Sequence, residues 1–215
     1  MEKDVDIINI SWSIEKTEFN KDDICELERA LDAAAKKDII LVCAASDQGA
    51  YKDRTYPAAY SKKILKIGAA EASGTALKWL GDQTAVDFIL PGHQVVVDRH
   101  GDAKSAKYTT LTGSSIATAL ASGLAAVILY CVQIGCVLKS DRRPTDSDFH
   151  AYRALKNHES MRDALSRIGT SKESENKFIT VWERFAKPVK KAENEPRDRW
   201  IDLVQQLAVH LKGDD

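Results

Sequence analysis

The residues with most chemical promise lie in Thr112-Gly113-Ser114-Ser115-Ile116-Ala117-Thr118, where a glycine and two small hydroxyl residues stand directly before a long apolar run. A serine at the start of a helix sits at the positive end of the helix dipole, with its own amide and its neighbours' pointing outward. Such a place can hold an oxyanion. The same pattern also suits an N-cap, whose hydroxyl accepts a hydrogen bond from the first turn. A serine hydroxyl becomes a useful nucleophile only when a histidine takes its proton and a carboxylate orients that histidine. The chain has five histidines, His93, His100, His150, His158 and His210, and His100-Gly101, 15 positions before Ser115, reads as part of a loop. Cys25, Cys43, Cys131 and Cys136 lie singly in apolar surroundings, without C-x-x-C spacing or a histidine beside them. Reduced structural thiols are expected, with no metal. No D-x-[DN]-x-[DN]-G calcium loop is present, and no cofactor is assigned.

Holding that serine in place requires a framework. Short continuous apolar runs recur at Val5 to Ile10, Ile39 to Ala45, Ile64 to Ala69 and Val86 to Leu90. Runs without polar alternation suit strands covered on both faces, as in a parallel sheet. Between the first two runs, Asn20 to Lys37 carries Ile24, Leu27, Leu31 and Ala34 at helical spacing, with acidic residues near its start and Lys36 and Lys37 at its end. Strand, helix and strand in this order predict a βαβ unit and an α/β fold. Ile116 to Leu138 is 23 residues without a charge, longer than the roughly 20 needed to span a bilayer. Thr118, Ser122 and Gln133 within it favour a core helix over a membrane span.

The 215 residues carry 31 Lys and Arg against 32 Asp and Glu, a balance that disfavours a nucleic-acid binder. Composition divides the chain after Leu138: nine of the 11 glycines precede that point, whereas 30 charged residues crowd the last 77 positions. Two parts are expected, residues 1–138 as the α/β part and 139–215 as a charged helical extension. In the extension, Thr145 to Lys156 begins with Thr145 and Asp148 at capping-box spacing, and Ser171 to Lys187 places Phe178, Val181, Trp182 and Phe185 on one helical stripe. Lys187 to Arg199 reads as a solvated connector, and Pro196 opens a last helix bearing Trp200, Ile201, Val204, Leu207, Ala208 and Leu211. These stripes are expected to pack on the α/β part or on a partner. Met1 is followed at once by Glu2, Lys3 and Asp4, so no signal peptide is expected at this end, and the expected location is the cytoplasm.

The serine segment resembles the G-T-S-M-A nucleophile motif of subtilisin-like serine proteases (peptidase family S8), with Ser115 at the nucleophile position. Four further segments follow that family's order. Asp6 to Ser11 is similar to its V-I-N-M-S strand, and Ile40 to Gly49 to its V-V-A-A-G-N-x-G strand and oxyanion loop. Tyr56-Pro57-Ala58 with the run after it resembles the Y-P-A turn and next strand, and Leu90-Pro91-Gly92 the A-P-G motif. Five motifs in order over about the first 130 residues are specific where one would be weak.

The resemblance implies the C-terminal half of a subtilisin-like α/β domain, its parallel sheet flanked by helices and its N-terminal part missing, with an α-helical extension. It implies a serine endopeptidase acting on peptide or protein substrates through an acyl-enzyme on Ser115. It puts Ser11, Trp12 and Ser13 beside the substrate backbone and Ala44, Ala45 and Ser46 in the facing pocket wall. Ser13 and Ser46 replace glycines common in the family, and Ala119 and Leu120 replace a proline and a histidine. Asp47 stands at the oxyanion position, where the family usually has asparagine; an ionised carboxylate only accepts hydrogen bonds. The family's D-S-G-like and H-G-T-like motifs, which carry the aspartate and histidine of the triad, are not in these residues. The chain alone is therefore expected to be inactive, and an upstream half-domain or another protein is expected to cover an open sheet edge. The alternative implied is a protease-derived interaction module without catalysis.

Overall fold

A computed structural model describes residues 4–49, 55–60, 63–97, 109–139, 145–175, 177–192 and 196–213. Its centre is a four-stranded parallel sheet made of β1 (Ile7–Ile10), β3 (Ile40–Ala44), β5 (Ile64–Ala70) and β6 (Phe88–Pro91), paired in that order. The pairing sets Ile10 opposite Cys43 and Ala44 opposite Ile67. Two small antiparallel pairs flank it: β2 (Ile14–Glu15) with β4 (Thr55–Tyr56), and β7 (Val95–Val97) with β8 (Thr109–Leu111).

The continuous apolar runs are explained by helices on both faces. Ile40, Val42, Leu65, Ile67, Ala69, Phe88 and Leu90 turn toward α2 (Ser114–Leu138), while Leu41, Cys43 and Ile64 turn toward α1 (Lys21–Lys36). The period of two that sends alternate side chains to opposite faces is intact, and both faces are apolar. Asn20 precedes α1 but does not cap it; its Oδ1 accepts from the Thr17 N–H at 2.7 Å, and it serves the preceding turn. Helix α2 is long and apolar enough to cross a membrane. It packs on the sheet through Ala117, Ala121, Leu124, Ala125 and Ile128. The opposite side differs from the buried helix expected: Leu120, Val127 and Tyr130 are exposed, as are Ala119, Gly123 and Ala126.

The extension shares this core. A 3₁₀ turn from Asp146 to Phe149 leads into α3 (His150–Ala154), followed by α4 (His158–Ile168), α5 (Val181–Arg184), α6 (Ala186–Ala192) and α7 (Arg197–Lys212). Leu155, Met161, Leu165, Ile168, Ile179, Ala208 and Leu211 join the cluster formed by α2 and the sheet. Gly135 of α2 and Ala208 of α7 meet so closely that a methyl group on the glycine would collide with the alanine side chain. Tyr152 and Lys156 both bind the carboxylate of Asp6 before β1, at 2.7 and 2.6 Å.

Two expectations for the extension need correction. The stripe from Ser171 to Lys187 is not one helix: Phe178 lies in a strand-like bridge to Ile89 of β6, and only α5 and α6 follow it. The Ile89 N–H donates to the Lys177 carbonyl at 3.0 Å and the Ile179 N–H to the Ile89 carbonyl at 3.3 Å, so backbone pairing with the free edge of β6 outweighed the helical pattern. Lys187 to Arg199 is not wholly a connector, because α6 runs to Ala192 and α7 begins at Arg197 with Pro196 as its N-cap. His100 and Gly101 lie outside the described residues.

Candidate functional site

The carboxyl ends of β1 and β3 and the N-terminus of α2 converge at one end of the sheet, where parallel α/β folds place their sites. Ser115 is the second residue of α2 and is half-buried. Its carbonyl accepts from the Ser11 hydroxyl at 3.0 Å, which ties the end of β1 to the helix start. Asn9 continues this seam: its Nδ2 donates to Ser11 Oγ at 2.9 Å, and its Oδ1 accepts from the Ser122 hydroxyl at 3.1 Å.

The helix start is shaped by glycines. Gly113, with φ of 142°, donates its N–H to the Gly92 carbonyl at 2.8 Å. Gly92 itself has no room for a side chain: a Cβ would lie 2.6 Å from that of Ala69 and 2.9 Å from the Gly113 carbonyl. The N–H groups of Ile116 and Ala117 turn to the Gly113 carbonyl, at 3.1 and 3.4 Å. The Ser114 N–H goes to Asp47 Oδ2 at 2.7 Å. The Ser115 N–H meets no acceptor among the described residues, as the first turn of a helix leaves its amides.

Asp47 accepts through both oxygens, since the Ser114 hydroxyl also donates to its Oδ1 at 2.6 Å. The Ser114 hydroxyl in turn accepts from the Ala69 N–H of β5 at 3.0 Å. A carboxylate so employed has no proton to offer an oxyanion. Ser114 is fully buried, and its part in the site was not anticipated; the signal was a second hydroxyl directly before the candidate nucleophile. Gln48, next in the loop, is exposed, and its N–H turns back to Ser46 Oγ at 3.3 Å.

The other candidate residues gather on the same end. Trp12 is 51% exposed and Ser13 is exposed, before the short β2–β4 pair. Ala44 ends β3 buried, Ala45 donates its N–H to the Ile67 carbonyl at 2.8 Å, and Ser46 is buried. Behind Ala45 and Ser46 opens a cavity of about 330 Å³, lined also by Thr55, Ala58, Lys66 and Val86. The Thr55 hydroxyl is buried there without a partner among the described residues. His93 follows Gly92 and stands edge-on to Trp79, ring centres 6.1 Å apart, a neighbour of the site that its sequence position alone did not mark. Among the described residues no histidine bonds to the Ser115 hydroxyl, and no group of three potential metal ligands is found.

Residues 1–135 match the family model described as the subtilase family, Peptidase_S8. An intracellular serine protease of Paenibacillus polymyxa is 30% identical over 132 residues, 60% of this chain and 37% of its own length. The major intracellular serine protease of Bacillus subtilis (strain 168) is also 30% identical over 132 residues, which make up 60% of this chain and 38% of that protein. The chain thus spans well under half the length of these curated relatives. Among solved structures, a cold adapted subtilisin-like serine proteinase superposes with a TM-score of 0.56 at 19% identity, over 80% of this chain and 54% of that one. The prenylagaramide maturation protease PagA gives a TM-score of 0.53 at 19% identity, over 83% of this chain and 60% of that one. At these identities the superpositions speak for the fold.

Proposed function

Because the chain belongs to the subtilase family of serine peptidases, we propose that it is the nucleophile-bearing part of a subtilisin-type endopeptidase acting on peptide or protein substrates in the cytoplasm. The observation that carries this reading is Ser115 at the start of α2, tied by its carbonyl to Ser11 and set beside the carboxyl ends of β1 and β3. In this reading Ser115 Oγ attacks the scissile carbonyl. Its proton passes to a histidine, the Ser115 N–H binds the oxyanion, and collapse, with that proton delivered to the leaving nitrogen, releases the amine and leaves an acyl-enzyme for water to hydrolyse. Ser11, Trp12 and Ser13 receive the substrate backbone, and Ala44, Ala45 and Ser46 wall the pocket for the side chain before the scissile bond.

The histidine and its carboxylate are supplied by an upstream half-domain on the open β1 side. With that polypeptide added, a serine-directed phosphonate probe labels Ser115 and leaves Ser115→Ala unlabelled. No labelling of the assembled protein, while a control protease reacts, sinks the reading. The chain alone is expected to hydrolyse peptides no faster than its Ser115→Ala variant. One observation favours the alternative of a protease-derived interaction module, namely that Asp47 only accepts hydrogen bonds at the oxyanion position.

A further inference from the structure

We propose that Asp47 is a positioning residue for Ser115: its carboxylate bolts the start of α2 to β3 and β5, and its fixed negative charge sets the reactivity of the nucleophile at position 115. This rests on Ser115 being the nucleophile. The bolt joins the loop after β3, α2 and β5 through the half-buried Asp47 and the fully buried Ser114. Ser114 presents two donors, its N–H and its hydroxyl, to the two oxygens of Asp47 at 2.7 and 2.6 Å, and its hydroxyl accepts from the Ala69 N–H. Two donors facing two acceptors is a match only a carboxylate makes in full. An asparagine has one acceptor oxygen, so the buried Ser114 hydroxyl would turn to accept from the amide and leave its own proton without a partner. Gly113 is the N-cap of α2 but has no side chain to satisfy the first turn. Asp47 does so from the loop after β3, with charge-assisted bonds at the positive end of the dipole.

The bolt brings the charge beside the nucleophile. A Cβ on Gly113 would lie 3.3 Å from both Asp47 Oδ2 and Ser115 Oγ, so carboxylate and hydroxyl flank the same bare Cα. Negative charge developing on residue 115 meets this carboxylate, against the pull of the helix dipole. Around this end of α2, the loop after β3 presents Asp47 and the loop after β6 presents His93. From β1 come Asn9 and Ser11, neither of which titrates, and from β5 the backbone of Ala69.

A thiol reads this field without any histidine, so the test needs only the chain itself. In Ser115→Cys, alkylation by iodoacetamide is followed against pH, with peptide mapping to separate the new thiol from the four native cysteines. The expected midpoint lies at or above the ordinary thiol value of about 8.5, although helix N-termini usually depress it. Adding Asp47→Asn lowers the midpoint by about one unit, roughly tenfold faster alkylation at neutral pH. A midpoint that Asp47→Asn leaves in place, or one already depressed with Asp47 present, overturns the proposal. Where Asp47→Asn folds poorly, Ser114→Ala combined with it needs no second acceptor and gives the same reading. Ser114→Ala alone keeps the charge; it leaves the midpoint in place but speeds hydrogen exchange of the Ala69 amide. Failure of the phosphonate probe to label Ser115 counts against the peptidase reading and leaves this titration interpretable.

Discussion

His158 opens α4 with its ring half-buried and its Nε2 without a partner among the described residues. Burial holds its pKa below the usual value of 6.5, although the charge of Asp87 pulls the other way. A group whose pKa is lower in the folded than in the unfolded state contributes stability above the unfolded pKa, and that contribution drains away as pH falls toward the folded value. Thermal unfolding followed from pH 7.5 to 5.5 should show Tm falling below about 6.5, and His158→Gln should flatten the fall. Asp6 adds a second, lower window of the same sign. Burial alone would raise its pKa, but hydrogen bonds from Lys156 and Tyr152 hold it below the ordinary carboxylate value. Lys156→Ala should lower Tm above pH 5, where Asp6 is ionised and paired, and should converge with wild type as pH falls below about 4 and the carboxylate takes up a proton. A Lys156→Ala profile that stays parallel to wild type through the acid range contradicts this assignment.

Helices α2 and α7 owe their close packing to Gly135 against Ala208. Gly135→Val forces them apart and should cost about 2 kcal/mol, read as a lower denaturation midpoint. A stability equal to wild type means that the helices do not pack this way. At this scale the sequence foretold much. The four sheet strands, α1 and α2 lie where continuous apolar runs and helical spacing put them, because doubly covered strands and a long core helix leave strong patterns. Phe178 shows why the extension was harder to read. Its spacing to Val181, Trp182 and Phe185 fits a helix, yet the ring packs over Gly74, whose missing Cβ would lie 2.9 Å from it. A partner more than 100 positions away leaves no local trace. Helix α4 did leave one: Asn157 caps it through Ser160 N–H at 3.0 Å, Met161, Ala164, Leu165 and Ile168 share a face, and Gly169 ends it. At the site, the motif order pointed to Ser115 and Asp47, but the direction of Asp47's hydrogen bonds depends on Ser114 and Ala69, 67 and 22 positions further along the chain.

Over the whole molecule, the division of the chain by charge and glycine coexists with a shared apolar cluster, since residues from both sides of Leu138 fill the one between α2 and the sheet. A fragment of residues 1–138 leaves Ile128, Leu129 and Val132 without their α4 and α7 partners, and it should be recovered only as aggregate. A soluble, cooperatively unfolding fragment refutes this. The exposed stripe of α2, with Leu120 42%, Val127 44% and Tyr130 63% exposed, lies beside β1. Val127→Glu should reduce self-association in sedimentation without lowering Tm, because it replaces an exposed apolar side chain. The sheet has a further consequence, one of handedness. The bridge at Phe178 occupies the edge of β6, so a strand added to this sheet joins at β1. Parallel crossovers are right-handed in nearly all proteins, and the step from β1 to β3 carries α1 on one face. The same hand applied in the opposite direction carries a helix on the other face, over the α2 stripe. A chain that covers both β1 and that stripe must therefore run outward, its strand nearest β1 coming first and its helix afterwards.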